Sequence, residues 1–330
     1  MGARPQALSV ICCSRSVATV NHVTRSRPIV AIDWGTTSMR ATLVRDGKPV
    51  ATVRRPAGVG QVDHAGLINA LTEVLDELPR CEGPVILSGM IGSSVGLQTV
   101  PYVHVPAGPG DIERAMVRLN EGSLPSHLSA REVWIVPGLE VHEGDRWDVM
   151  RGEETEFFGQ DVTDGVLVAP GSHSKWIVAR DGNITRFRTM MTGEVFAAVA
   201  AHTLLKSSVL ASLEVHESEA PEFRAGVLAA QADGLLSNLF AVRTRSLAGA
   251  SPAAATAFLS GLVIGAELHD GLQWAGNPET VRIISDGALR TWYKTALNTI
   301  GVEASPATES AAALGAWRIA RSIPEKGRSR

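Results

Sequence analysis

Several things are scarce in this chain, and each scarcity removes a class of protein. Its 330 residues include three cysteines, Cys12, Cys13 and Cys81. Their spacing forms neither a metal-finger pattern nor a disulfide framework, so a reducing cytoplasm is the expected compartment. No run reaches the ~18 uncharged apolar residues that a membrane span needs. The nearest, Phe196 to Leu205, is short and carries His202, so no membrane role is expected. Neither sign of charge is in excess: 31 Lys and Arg face 34 Asp and Glu, for a formal net charge of -3. That balance argues against bulk nucleic-acid binding. The P-loop pattern, the Gly-x-Gly-x-x-Gly dinucleotide fingerprint and His-Glu-x-x-His are all missing, and the enzyme classes they mark lose their main support. Aromatics make up only 5% of the residues while Gly numbers 32, which favours close helix–sheet packing.

What is present is an internal echo. Val30 to Gly47 reads VAIDWGTTSMRATLVRDG, and Val166 to Gly182 reads VLVAPGSHSKWIVARDG. Each is an apolar run that breaks at a glycine among hydroxyl residues, resumes with alternation and turns at Asp-Gly. Asp-Gly between alternating runs predicts a hairpin with a type I′ turn. A third apolar run follows each hairpin, Pro49 to Val53 and Asn183 to Phe187. The chain therefore reads as two copies of one supersecondary unit. Helical spacing covers Asp63 to Leu78, and helices are also expected over Asp148–Gln160, Ala225–Val242, Ala253–His269, Gly287–Thr299 and Ala311–Ala320. Thr192 is expected to cap a helix reaching about Lys206. Strands are expected at Pro84–Ser88, Val133–Val136 and Val281–Ile284. Hairpins, lone strands and helices mixed in both halves predict an α/β protein with mixed sheets. Residues 1–27 differ from the rest: they carry Arg4, Arg15, Arg25 and Arg27 and no acidic residue. They read as a disordered extension, since the apolar patch Leu8–Cys13 is too short for a secretory signal.

The two hairpin loops carry chemistry. Gly35, Thr36, Thr37 and Ser38 offer backbone N–H groups and hydroxyls in a concave turn, which suits phosphate oxygens. Asp33, at the end of the preceding strand, suits a magnesium ion bridging phosphates. The second loop repeats the pattern with Gly171, Ser172 and Ser174, and adds His173 and Lys175. Two such loops facing one another could hold a triphosphate between two domains.

Ile32 to Ser38 and Gly171 to Trp176 resemble the two phosphate motifs of the superfamily that unites acetate and sugar kinases, heat-shock chaperones and actin. Within it, Ser88–Ser93 (SGMIGS), Asp148–Thr155 (DVMRGEET), Pro170–Trp176 (PGSHSKW) and Met191–Phe196 (MTGEVF) resemble the 2-dehydro-3-deoxygalactonokinase family, over about residues 28–321. The chain departs from the family at the adenosine loop, where Ser285-Asp286-Gly287 replaces the usual glycine pair.

The resemblance implies a two-domain actin-like (ribonuclease H-like) sugar kinase with an interdomain cleft. Residues 28–164 would hold the sugar acid and phosphates and 165–330 the nucleotide, with the final helix near the hinge. The implied reaction is phosphate transfer from ATP, with Mg2+, to the terminal (6-) hydroxyl of 2-dehydro-3-deoxy-D-galactonate, feeding galactonate degradation in the cytoplasm. Its implied base is Glu153, with Glu154 second. Arg151 or Arg40 would pair with the substrate carboxylate, and Met90, Gly92, Ser93 and Gln98 would grip the sugar. Lys175 would neutralise phosphoryl charge. Thr192 and Gly193 would offer N–H groups near the nucleotide, and Ser285 and Gly287 would let backbone approach adenosine. The expected partner is a small sugar acid, with a homo-oligomer left open. The rivals are a kinase for another sugar acid or sugar, and an activator- or chaperone-type ATPase of the same fold.

Overall fold

A computed structural model describes residues 27–323 apart from 120–123, 125–127, 129–130, 212–216 and 286. The expected extension therefore lies outside the described residues up to residue 26, as does Asp286 of the adenosine loop. Arg27, assigned to that extension, pairs with Glu132 at 2.8 Å.

The first half builds a six-stranded sheet from β1 (Ile29–Trp34), β2 (Met39–Arg45), β3 (Lys48–Arg55), β4 (Val85–Gly89), β6 (Val117–Arg118) and β7 (Val133–Ile135), in the order β3-β2-β1-β4-β7-β6. β5 (Val103–His104), β8 (Leu139–Glu143) and β9 (Arg146–Met150) form a small separate sheet. The second half builds a five-stranded sheet from β10 (Gly165–Ala169), β11 (Ser174–Arg180), β12 (Asn183–Met190), β13 (Thr280–Ile283) and β14 (Glu303–Pro306), in the order β12-β11-β10-β13-β14.

The echo in sequence is an echo in topology. β1 is antiparallel to β2 and parallel to β4, and β4 is parallel to β7. β10, β11, β13 and β14 repeat those relations in the same order. Both hairpins turn as the Asp-Gly pairs require, with φ of 48° and 71° at Asp46 and Gly47 and of 52° and 73° at Asp181 and Gly182. Each also carries a bulge just before its turn, at Leu43/Val44 and at Val178/Ala179.

Central strands flanked on both faces need apolar side chains on both, which is why IVAI and GVLVA run without alternation. One face of the first sheet (Val30, Ile32, Trp34) packs on the helix His64–Glu77 through Leu67, Leu71 and Val74. The outer face of the second sheet packs on the helices Ala220–Asp233, Pro252–Ala275 and Gly287–Thr299. The two inner faces share one core, where Ile29, Ala31 and Ile86 join Leu167, Ala169 and Ile177 around the helices Glu153–Phe158 and Ala311–Ile319. Those helices approach closely because Gly159 and Gly315 lie against carbonyl oxygens of Ala311 and Thr155, where any Cβ would overlap.

Three expectations need correction. Asp148–Gln160 is not one helix: β9 runs to Met150, the chain turns at Gly152 (φ 115°), and the helix is only Glu153–Phe158. Asp148 belongs to the strand because its carboxylate accepts from Thr189 N at 2.6 Å and Thr189 Oγ1 at 2.7 Å, tying β9 to β12. Ala225–Val242 is broken by Gly234 (φ 78°) into two helices, Ala220–Asp233 and Leu235–Leu247. Thr192 is not a cap: Met191 is the N-cap residue and the helix ends at His202.

Candidate active site

The ends of β1, β4, β9 and β10 converge on one cleft with a volume of about 520 Å³. Carboxyl ends of sheet strands are where open α/β folds leave room for ligands. Gly89 (φ 86°) turns sharply beside Trp34, and a Cβ on Gly152 would lie 3.3 Å from Gly89 Cα. Two glycines thus let the β4 and β9 turns meet at the cleft floor.

Asp33 from β1 and Glu153 and Glu156 from the helix Glu153–Phe158 all line the cleft. Burial raises the Asp33 carboxyl above the usual carboxylate range, with Arg40 opposing and Glu153 adding to the shift. Glu156 is pushed well above it by burial, then by Asp33 and Glu153. Arg40, opposite Asp33 in the β1–β2 register, lines the adjoining cavities rather than the cleft. Arg151 and Lys175 are the cations that line the cleft, and Lys175 is buried and lies 3.5 Å from Glu153 Oε1. Glu153 Oε2 also accepts the Arg151 N–H at 3.1 Å. Glu154 turns away: it is fully buried, accepts from Gly152 N at 2.7 Å and Thr155 Oγ1 at 3.0 Å, and does not line the cleft. Burial, then the Glu153 charge, push its carboxyl up to about 8.

The second loop faces the first. Gly171, Ser172 and His173 line the cleft, and a Cβ added at Gly171 would meet nothing nearer than 3.9 Å. His173 Nε2 lies 2.7 Å from Glu194 Oε2. Beyond this loop opens a second pocket of about 190 Å³, where Ser172, Thr192 and Gly193 meet an apolar wall of Phe196, Val263 and Ile264. A polar rim against an apolar slot suits a phosphorylated nucleoside base. Ser174 is not part of either: it is buried, and its hydroxyl pairs with Tyr293 Oη at 3.0 Å. Tyr293 donates to Glu267 at 2.5 Å, and Trp176 donates to the other oxygen at 2.9 Å, so Ser174 braces the wall of the pocket from behind.

On the sugar side, Arg151 stacks on Tyr102 at 4.3 Å and donates to the Val100 carbonyl at 2.7 Å. Its Nε and Nη1 are buried with no partner among the described residues. Gly92 makes room for it, since a Cβ there would lie 3.0 Å from Arg151 Nη1. Met90 lines the cleft; Ser93 instead closes its own turn through Met90 O at 2.7 Å, and neither Ser93 nor Gln98 lines the cleft. Gly35 and Thr36 line it, whereas Thr37 and Ser38 are exposed beside it. Ser285 lies in a side cavity with Arg40 and Glu156, and Gly287 (φ 66°) opens the helix whose Leu289 reaches the apolar pocket.

Sequence reading missed Glu156 and Tyr102. Glu156 was within reach, because i and i+3 share a helix face. Tyr102 carried no local signal. The motif Gly92-Ser93-Ser94-Val95-Gly96 also has the spacing of a nucleophile elbow. Ser94 is exposed beyond the turn Met90–Gly92 and not on a strand-to-helix corner, so that spacing is incidental.

Carboxylate oxygens are the donors a hard divalent ion prefers, so Asp33, near the end of β1 at the cleft, is chemically suited to a magnesium ion. Two repeated sheets, two opposed phosphate-type loops and a cleft between them define the actin-like sugar kinase class. Component A of the (R)-2-hydroxyglutaryl-CoA dehydratase from Acidaminococcus fermentans shares this fold, with a TM-score of 0.51 and 15% identity over 89% of this chain and 97% of that one. Residues 33–319 match the 2-keto-3-deoxy-galactonokinase family, and the chain belongs to it. It is 31% identical to 2-dehydro-3-deoxygalactonokinase of Escherichia coli K12 over 89% of this chain and 98% of that protein. It is also similar to the crystal structure of a candidate 2-dehydro-3-deoxygalactonokinase from Sinorhizobium meliloti, with a TM-score of 0.80 and 30% identity over 89% and 99% of the two chains.

Proposed function

We propose that this protein phosphorylates 2-dehydro-3-deoxy-D-galactonate at its terminal hydroxyl, using ATP, in galactonate degradation in the cytoplasm. The observation that carries the assignment of roles is Glu153 facing the cleft between Asp33 and Lys175, with Arg151 alongside. The nucleotide lies with residues 165–330, its base in the apolar pocket by Phe196 and Ile264 and its phosphates at Gly171, Ser172 and Gly193. The sugar acid lies with residues 28–164, its carboxylate paired with Arg151 where that residue lines the cleft. A magnesium ion held by Asp33 would neutralise phosphate charge.

Glu153 takes the proton of the terminal hydroxyl as its oxygen bonds to the γ-phosphorus and the bond to the β-phosphate oxygen breaks. Lys175 exchanges Glu153 for the transferring group and offsets its charge. Glu156 and Arg40 set the field beneath Asp33. Gly35, Thr36 and Ser172 keep the phosphate path free of bulk. Catalysis here is positioning and charge neutralisation. No helix among the described residues is long and apolar enough to cross a membrane.

A coupled assay with 2-dehydro-3-deoxygalactonate, its gluconate epimer and a sugar panel tests this reading. ATP turnover should depend on the galactonate compound. ATP hydrolysis indifferent to every sugar acid would favour the activator-type ATPase instead.

A further inference from the structure

The small sheet between the two halves carries a cluster that the kinase reading does not use. His104 on β5 and Glu140 on β8 are partners in the parallel register, and His142 follows Glu140 by one full pleat. All three therefore stand on one face of the sheet. The opposite face holds Leu139 and Val141, both buried in the central core. One donor atom from each of His104, Glu140 and His142 lies within 4.8 Å of the others, and the two imidazole centroids are 5.4 Å apart. Trp147, paired with His142 across β8 and β9, donates its indole N–H to Glu140 Oε2 at 3.2 Å. Such an outer contact orients a carboxylate whose second oxygen can bind a metal. None of these residues lines the 520 Å³ cleft.

We infer that His104, Glu140 and His142 bind one transition-metal dication of the zinc class. Two imidazole nitrogens and one carboxylate favour zinc, cobalt, nickel or copper over magnesium and calcium, which prefer oxygen alone. Three protein ligands leave a coordination position for water. The ion would clasp the two-residue strand β5 to β8, just after Tyr102 leaves the cleft wall. A merely solvated sheet face would need neither the convergence of three ligand atoms nor the indole brace.

The test uses the full chain, untagged and freed of metal by chelator, without nucleotide. Zinc is titrated by calorimetry, and cobalt by its visible d–d absorption. One ion per chain is expected, with intense tetrahedral-type cobalt bands. His104→Ala and His142→Ala should abolish that binding, and Trp147→Phe should weaken it by about 10- to 100-fold, as losing an outer partner does. Nickel should quench the Trp147 component of the fluorescence in the native protein, a readout that needs no histidine variant. Absence of stoichiometric zinc binding, or binding that survives both histidine substitutions, would overturn the site. Nickel quenching equal in native and Trp147→Phe proteins would overturn it as well.

Discussion

Lys175 Nζ and Glu153 Oε1 meet at 3.5 Å, one from the second sheet and one from the first half's cleft helix. This is no surface ion pair, for Lys175 is 6% exposed. A buried ammonium left without its carboxylate costs several kcal/mol (about 3–5), so the pair keeps the Glu153 side chain aimed into the cleft until substrate divides it.

Replacing Glu153 with Gln keeps its shape and removes the proton acceptor. Turnover should fall by about 10²–10⁴-fold, the usual worth of a general base. Glu154→Gln should stay active, because Glu154 faces the core rather than the cleft. Steady-state kinetics of the two variants decide the matter. An inactive Glu154 variant that is folded, beside an active Glu153 variant, would reverse the assignment.

Asp33→Asn is expected to lower ATP turnover by orders of magnitude with the fold intact, since it deletes a charge where carboxylates converge. Because Asp33 sits beside Glu156, the substitution should also let Glu156 ionise more easily. Its magnesium titration should shift to higher concentration. Unchanged turnover at saturating magnesium would remove Asp33 from the metal site.

How much of this was written in the sequence depends on range. The two Asp-Gly turns, the loops after Asp33 and Pro170, and the helix His64–Glu77 are set by neighbours in the chain, and local pattern exposed them. β9 was misread because DVMRGEETEFF has helical composition, while the force that extends it is the distant Asp148–Thr189 contact. Ser174 looked like a phosphate hydroxyl because its burial depends on Tyr293, 119 residues away. Arg40 looked like a substrate ligand because sequence places it near Asp33 without saying on which side of the sheet it emerges. The family resemblance supplied what spacing could not: which of two adjacent glutamates to prefer.

Gly315→Ala should cripple the enzyme from outside the cleft. Its new methyl would overlap the Thr155 carbonyl, forcing the final helix off the helix that carries Glu153. Overpacking of this kind typically costs about 1–3 kcal/mol. Thermal melts should show the loss, and turnover should drop more than binding of ATP, since Glu153 moves and the nucleotide pocket does not. A variant with native melting temperature would mean that the two helices can part freely.

Glu154 makes a pH prediction whose direction is fixed by its burial. Its carboxyl titrates near 8 in the folded chain, against an ordinary value of 4.5. Between those values the folded state keeps a proton that the unfolded state has lost. Stability from this group is therefore full below pH 4.5, declines as pH rises, and is gone above about 8. At about 1.4 kcal/mol per pH unit, the swing amounts to a few kcal/mol. Glu154→Gln is neutral throughout and lacks this slope. Asp33 and Glu156, also raised, act in the same direction in both proteins and largely cancel in the comparison. Melting temperatures from pH 5 to 9 should thus converge or cross, the native chain losing ground to the variant as pH rises. Parallel curves would show that Glu154 ionises in the folded state as easily as in water, and that its burial is relieved by something the hydrogen bonds from Gly152 and Thr155 do not account for.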